Sequence, residues 1–228
     1  MSRDADNLTP RVFFIRHGET EWAKSGRQTG ITDIALTDHG IHQVEATADL
    51  LVGPKKLLDP NNVVAVFASP RKRAQETLRH LFANNAISAE ITTTEDIAEW
   101  NYGDYEGMTA AETRALRKKR GLDNDRPWNV WHDGCEGGES TEEVTKRLDK
   151  LIARVRNIQR SNMLGQRPAD VVIVAHGLIL RAFAKRWLGC PVDMSLSIML
   201  APGALGILTY KNNDIEEPTL HIGIAIPI

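Results

Sequence analysis

Val12-Phe13-Phe14-Ile15-Arg16-His17-Gly18-Glu19-Thr20 opens with four apolar residues, all β-branched or aromatic, and then turns abruptly polar. Such a run fits a strand buried on both faces, and strands of that kind belong to parallel sheets covered by helices. The chain repeats the device downstream, where Val171-Val172-Ile173-Val174-Ala175 runs into His176-Gly177. A third buried run, Val63-Val64-Ala65-Val66-Phe67-Ala68, ends in Ser69-Pro70. In an open parallel sheet ligands bind beyond the carboxyl ends of the strands. Here those ends deliver Arg16-His17, then Ser69 with Arg71-Lys72-Arg73, and His176. Four to five potential positive charges therefore meet at one edge, which suits an anion and above all a phosphoryl group.

Helical patterns fill the spaces between the strands. Thr37-Asp38-His39-Gly40 begins a helix with Ile41, Val44, Ala48 and Leu51 inward, and Asp59-Pro60-Asn61-Asn62 is a turn. A helix is expected from Pro70 to about Ala83, with the proline in its first turn. Ile91–Thr94 reads as a short strand and Thr109–Arg120 as a short helix. Ser140-Thr141-Glu142-Glu143 is an N-cap with acidic first-turn residues. Its helix runs to about Gln159 with Val144, Leu148, Leu151, Ile152 and Val155 inward, and another spans Gly177 to Leu188. Gly206–Tyr210 and Leu220–Ile224 read as a final pair of strands. The expected fold class is α/β: a three-layer α/β/α sandwich around a mostly parallel central sheet. Residues 1–228 read as a single domain, and the aromatic, charge-rich stretch 99–138 as one insertion over the active site.

Composition narrows the function classes. The chain has 228 residues and a formal net charge of −2. No global field therefore draws it to nucleic acid or anionic membrane. Two cysteines, Cys135 and Cys190, form neither a metal-like pair nor a disulfide framework. The polar start Met1–Asn7 lacks a signal-peptide core and no apolar stretch is long enough to span a membrane, so a cytoplasmic protein is expected. The expected partner is a phosphorylated small molecule, with no nucleic acid and no membrane; a homo-oligomer is compatible with the sequence.

Neither G-x-x-x-x-G-K-[ST] nor H-E-x-x-H occurs, and no acidic pair suited to a metal stands out, so no metal and no cofactor are expected. Arginine, with its planar fork, and histidine must then carry the positive charge that a phosphoryl group requires. A neutral histidine nitrogen can attack phosphorus, splitting one hard displacement into two easier ones. A carboxyl group must protonate the leaving oxygen.

Arg16-His17-Gly18-Glu19 together with His176-Gly177 resembles the histidine phosphatase, or phosphoglycerate mutase-like, superfamily. The resemblance covers nearly the whole chain. Thr29-Gly30, Leu36-Thr37 and Gly40 resemble the family's loop and first helix. Ser69-Pro70-Arg71-Lys72-Arg73-Ala74-Gln75-Glu76-Thr77 is similar to its S-x-x-x-R-A-x-x-T segment, and Gly138-Glu139-Ser140 to its G-E-S. Glu99-Trp100-Asn101-Tyr102-Gly103-Asp104-Tyr105-Glu106-Gly107 is similar to the segment bearing the proton donor. The resemblance implies a phosphatase with His17 as nucleophile, Arg16, Arg73 and His176 around the phosphoryl oxygens, and Glu99 as acid and then base. It adds Gln28, Thr29, Gly30 and Gly177 as backbone donors, and Tyr102 and Arg181 as substrate contacts. For Tyr102 packing is the competing reading, and for Arg181 a structural salt bridge.

Within the superfamily, Glu99 to Glu136 is most similar to the fungal sedoheptulose-1,7-bisphosphatases, which implies a sugar phosphate or bisphosphate substrate. The chain departs from them at Leu178, where they have a second histidine, and in its shorter connection from Leu188 to Gly206. Ala23 replaces an asparagine that many superfamily members have. A phosphoglycerate mutase and a catalytically silent phospholigand-binding module are the alternatives. Arg114 with Arg117-Lys118-Lys119-Arg120 reads as a solvated helix face, or else a contact for a second phosphate. His39, His42, His80, His132 and His221 lack motif company and read as surface or loop residues.

Overall fold

A six-stranded mixed sheet organises the computed structural model, which describes residues 9–223. The strands are β1 (Val12–Arg16), β2 (Val63–Ala68), β3 (Glu90–Thr93), β4 (Asp170–Ala175), β5 (Leu205–Tyr210) and β6 (Pro218–His221), in the spatial order β3-β2-β4-β1-β5-β6. The pairs β3–β2, β2–β4 and β4–β1 are parallel, whereas β5 runs antiparallel to β1 and β6 antiparallel to β5. The mostly parallel sheet expected from the apolar runs is present. Its two antiparallel strands lie together at one edge.

Period-two alternation divides the apolar residues between two faces. Val12, Phe14, Phe67, Val171, Ile173 and Ala175 pack toward α6 (Thr141–Gln159) and α7 (Gly177–Trp187). Phe13, Ile15, Val66, Ala68, Val172 and Val174 pack toward α2 (Asp38–Leu51) and α3 (Lys72–Leu81). Every residue of β4 is buried, as a strand covered on both faces requires. The result is three layers, α/β/α.

Helix ends follow local chemistry. Thr37 caps α2 by accepting from Gly40 N–H, and Ser140 and Glu143 form a reciprocal capping box at α6. A second capping box, Thr109 with Glu112, opens α4 (Ala110–Lys119). The expected start of α3 at Pro70 is two residues early. Ser69 Oγ accepts from Arg71 N–H at 3.3 Å and Arg71 is extended, so the chain enters the helix only at Lys72 and the proline lies before the cap. Two short helices, α1 (Glu21–Ser25) and α5 (Val130–Asp133), lie in stretches without helical periodicity. The last strand begins two residues earlier than expected, and Ile224, its expected end, lies outside the described residues, as does Met1–Asn7.

Residues 99–138 contribute Trp100, Tyr102, Tyr105 and Cys135 to the same buried cluster as α6 and α7. They also pair with the loop after β1: Gln28 N–H donates to Met108 O at 2.9 Å, and Gly107 N–H to Gln28 O at 2.8 Å. Among the described residues no helix is long and apolar enough to cross a membrane.

Candidate active site

β2, β4 and β1 are adjacent and parallel, so their carboxyl ends set Ser69, His176 and His17 side by side. His17 N–H continues the ladder to Ala175 O at 2.9 Å, and Ser69 N–H does so to Val174 O at 3.0 Å. The two imidazole rings meet edge to face with centroids 5.1 Å apart.

His17 is 6% exposed, which makes its protonation state a question of burial. Its Nδ1 lies 2.7 Å from Gly18 O, an acceptor only, so Nδ1 carries the proton. Nε2 keeps its lone pair and has no hydrogen-bond partner among the described residues. Burial, then the positive field of Arg73, push the imidazole pKa down to about 3, against the weaker effect of the Gly18 bond. Arg16 lies beside it. Its guanidinium packs on Gly177, where a Cβ would sit 3.1 Å from Cζ, and Nη1 donates to Leu200 O at 2.8 Å. The Arg16 Nε–H is buried without a partner. An unpaired buried donor beside a neutral nucleophile calls for an anionic acceptor.

Arg73 is fully buried, and its donors are distributed over the protein. Nη1 reaches Thr32 O at 2.9 Å, while Nη2 reaches Thr29 O at 2.8 Å and Gly30 O at 3.0 Å. Nε donates to His176 Nδ1 at 3.0 Å. An arginine Nε–H can only donate, so Nδ1 of His176 must be bare and its proton sits on Nε2, facing Ser69 Oγ at 2.6 Å. Burial, then the charge of Arg73, hold the His176 pKa well below the ordinary value. The expectation that the histidines add to the positive charge is thereby corrected. Both histidines are neutral, and the charge at this edge belongs to Arg16 and Arg73, with Arg71 paired to Glu95 and Lys72 4.0 Å from Glu76.

Glu99 is 6% exposed and sits across the start of α7. Its Oε2 accepts from Leu178 N–H at 3.1 Å, and Oε1 from Ile179 N–H and Trp100 N–H, both at 2.9 Å. The free amides of a helix N-terminus thus hold this carboxylate. Behind it, Arg147 of α6 donates through Nη1 to Ala98 O at 2.8 Å, Asp96 O at 3.2 Å and Glu95 O at 3.3 Å. Its Nη2 reaches Glu99 O at 3.4 Å. The same guanidinium forms a forked pair with Glu139, Nε–Oε1 at 2.7 Å and Nη2–Oε2 at 3.0 Å. Glu139 Oε2 also accepts from Asn101 N–H at 2.9 Å, and Glu139 O from Trp100 Nε1–H at 2.9 Å.

The structure therefore brings Arg16, His17, Arg73, Glu99 and His176 together. The outer residues differ in kind. The N–H of Gln28 is taken by Met108 O, and that of Gly30 by both oxygens of Glu106 at 3.0 and 2.9 Å. Thr29 offers its carbonyl to Arg73. Tyr102 is buried, and burial, then Glu99, raise its phenol pKa well above the ordinary value, so its hydroxyl stays a neutral donor. Arg181 donates Nε–H to Gly177 O at 2.8 Å and lies over Trp131, 5.9 Å from its centroid. It makes no ion pair among the described residues, contrary to the salt-bridge reading.

Three residues gained roles that sequence reasoning missed. Glu106 ties down Gly30 and also takes Thr32 N–H at 3.0 Å. Arg147 stands three residues after Val144 and one before Leu148, on the inward stripe of α6, and a charge on that stripe was its signal. Arg114, Lys118, Lys119 and Arg120 are exposed, as a solvated helix face requires, and Arg117 is the exception in that charge run. It is 5% exposed and bonds to Asp123 at 2.7 Å, and to Glu136 and Tyr105 Oη at 2.6 Å. The tertiary fold supplies these three acceptors. His39, His42, His132 and His221 are exposed as expected, and His80 is half-buried, 3.1 Å from Glu45.

Comparison with known proteins identifies the family. The family model described as histidine phosphatase superfamily (branch 1) matches residues 12–221. The chain is 36% identical to sedoheptulose 1,7-bisphosphatase of Saccharomyces cerevisiae, over 95% of this chain and 93% of that one. It is 34% identical to an acid phosphatase of Mycobacterium tuberculosis, over 89% of this chain and 87% of that one. A solved structure of a Mycobacterium tuberculosis open reading frame superposes with a TM-score of 0.73 at 28% identity, covering 93% of this chain and 96% of that chain. With the arginines, histidines and carboxylate gathered at one sheet edge, the chain belongs to branch 1 of the histidine phosphatase superfamily.

Proposed function

We propose that this phosphatase hydrolyses a small phosphorylated sugar, passing the phosphoryl group through His17. The observation that carries the reading is the His17 tautomer: Nδ1–H is committed to Gly18 O, and Nε2 stays neutral and unclaimed. The Nε2 lone pair attacks phosphorus and the ester P–O bond breaks. Protonated Glu99 gives its proton to the departing alkoxide oxygen. The Glu99 carboxylate then takes a proton from water, whose oxygen attacks the phosphohistidine and releases phosphate and neutral His17. Arg16, through its unpaired Nε–H, stabilises the charge on the transferring oxygens. Arg73 and His176 frame them, and Tyr102, Arg181 and the Gly177 backbone contact the rest of the substrate.

Similarity to the yeast bisphosphatase supports a sugar phosphate or bisphosphate, such as sedoheptulose 1,7-bisphosphate. Leu178 and the 188–206 connection are the positions that reshape the sugar pocket. The Leu178 side chain belongs to the buried core. Residues 99–138 act as an insertion of a single domain, and the enzyme works in the cytoplasm.

Turnover with phosphorus-labelled substrate, quenched in denaturant at neutral pH, tests the mechanism. The expected label is acid-labile and base-stable, and His17→Ala removes it; a base-labile or serine-linked label overturns the proposal. Glu99→Gln lowers turnover of an alkyl phosphate roughly 10²–10⁴-fold. A panel including sedoheptulose 1,7-bisphosphate, fructose 1,6-bisphosphate and shorter sugar phosphates, scored by released phosphate, ranks the substrates.

A further inference from the structure

We propose that Arg147, held in its forked pair with Glu139, is the positioning residue that aims the Glu99 carboxyl at the leaving oxygen. The inference rests on Glu99 being the general acid, and it concerns a side chain that is not itself part of the reacting centre.

One guanidinium gathers four main-chain carbonyls, those of Glu95, Asp96, Ala98 and Glu99, within 3.4 Å. These carbonyls belong to the segment leading into Glu99, a single 3-10 turn over Glu95–Ile97 and its exit, which lies beyond the end of β3 at Thr93. Its partner Glu139 takes Asn101 N–H, two residues beyond Glu99. The chain is thus held on both sides of Glu99 by one half-buried ion pair, while the carboxylate rests on the first turn of α7. α6 carries Arg147 and α7 carries the amides, so the acid is fixed between two helices. Apart from the neighbouring Trp100 N–H, every polar bond given above to Glu99 comes from these two supports.

An alternative is that the pair only holds the fold together. That reading predicts equal losses for every substrate. A positioning role predicts loss where a proton must be delivered and little where it need not be. A misplacement of about 1 Å in a catalytic group costs about 100-fold. A displaced acid leaves phosphoryl transfer to a good leaving group nearly untouched.

First-turnover rates of His17 phosphorylation should therefore be measured with an alkyl phosphate and with 2,4-dinitrophenyl phosphate. Arg147→Lys keeps the charge and loses the fork. The expected result is a loss of about 10- to 100-fold with the alkyl ester and less than about threefold with the dinitrophenyl ester. Inhibition by inorganic phosphate and the thermal midpoint serve as controls on the phosphate pocket and the fold. Glu139→Gln, which keeps the shape of its partner, should show the same leaving-group dependence and supplies the test if Arg147→Lys fails to fold. In the Glu99→Gln background, Arg147→Lys should add no further leaving-group dependence. Equal losses with both esters, or wild-type rates with both, overturn the positioning role while Glu99→Gln still shows its own selective loss. If Glu99→Gln is itself insensitive to the leaving group, the assignment of Glu99 as acid fails instead.

Discussion

His17 and His176 show how far a residue's chemistry depends on its surroundings. In the unfolded chain His17 binds a proton below about 6.5, and in the fold only below about 3. Between these values unfolding takes up a proton, so stability falls as pH falls through that window. The slope is about 1.4 kcal/mol per pH unit for such a histidine, with His176 acting in the same direction. Denaturant titrations of the wild type and His17→Asn from pH 7 to pH 4 check this; the variant is expected to lose less stability on acidification. Close approach of backbones decides another position. A Cβ on Gly18 would stand 2.2 Å from Gly40 O, where the chain after His17 presses on the first turn of α2. Gly18→Ala is expected to destabilise by about 1–3 kcal/mol, read by urea unfolding, and to displace His17. Which residues meet was legible from strand ends and their glycines. That the histidines are neutral was not, because it follows from burial beside Arg73, which residue order does not reveal.

At the scale of elements, regular periodicity and caps carried the most information. α6 begins and ends where its N-cap and apolar stripe place it, and its capping box is reciprocal. Ser140→Ala is expected to cost about 1 kcal/mol, measured as a lower thermal midpoint, and also to loosen the helix end next to Glu139. α3 was less legible at its start, since Ser69 competes for the chain with a side-chain bond that proline statistics ignore. α1 and α5 span 5 and 4 residues, too short for a helical period to register. Arg147 left a trace on the inward stripe of α6, but its acceptors are carbonyls of a segment some fifty positions earlier. Only the folded chain brings them within reach.

At the scale of the molecule, the alternation of strands and helices was enough to read a three-layer α/β sheet, and the placement of two antiparallel strands at one edge was not. Residues 99–138 share the buried cluster of α6 and α7, and part of their anchoring was hidden in a charge run. Arg117 bonds there to Asp123, Glu136 and Tyr105. Arg117→Ala leaves the buried Tyr105 hydroxyl and the partly exposed Asp123 and Glu136 without this donor and is expected to destabilise by about 1–3 kcal/mol, seen as a reduced denaturant midpoint. The neutral pair at the sheet edge has one more consequence, in the thermodynamics of the product. Burial and then the Arg73 field keep His17 unprotonated; an entering phosphate dianion offsets that field and gives Nε2–H an acceptor. Phosphate binding should therefore draw in a proton below neutral pH. Calorimetry in buffers of different ionisation enthalpy reads this directly, as a binding heat that changes with the buffer, and product release should slow as the solution becomes more acidic.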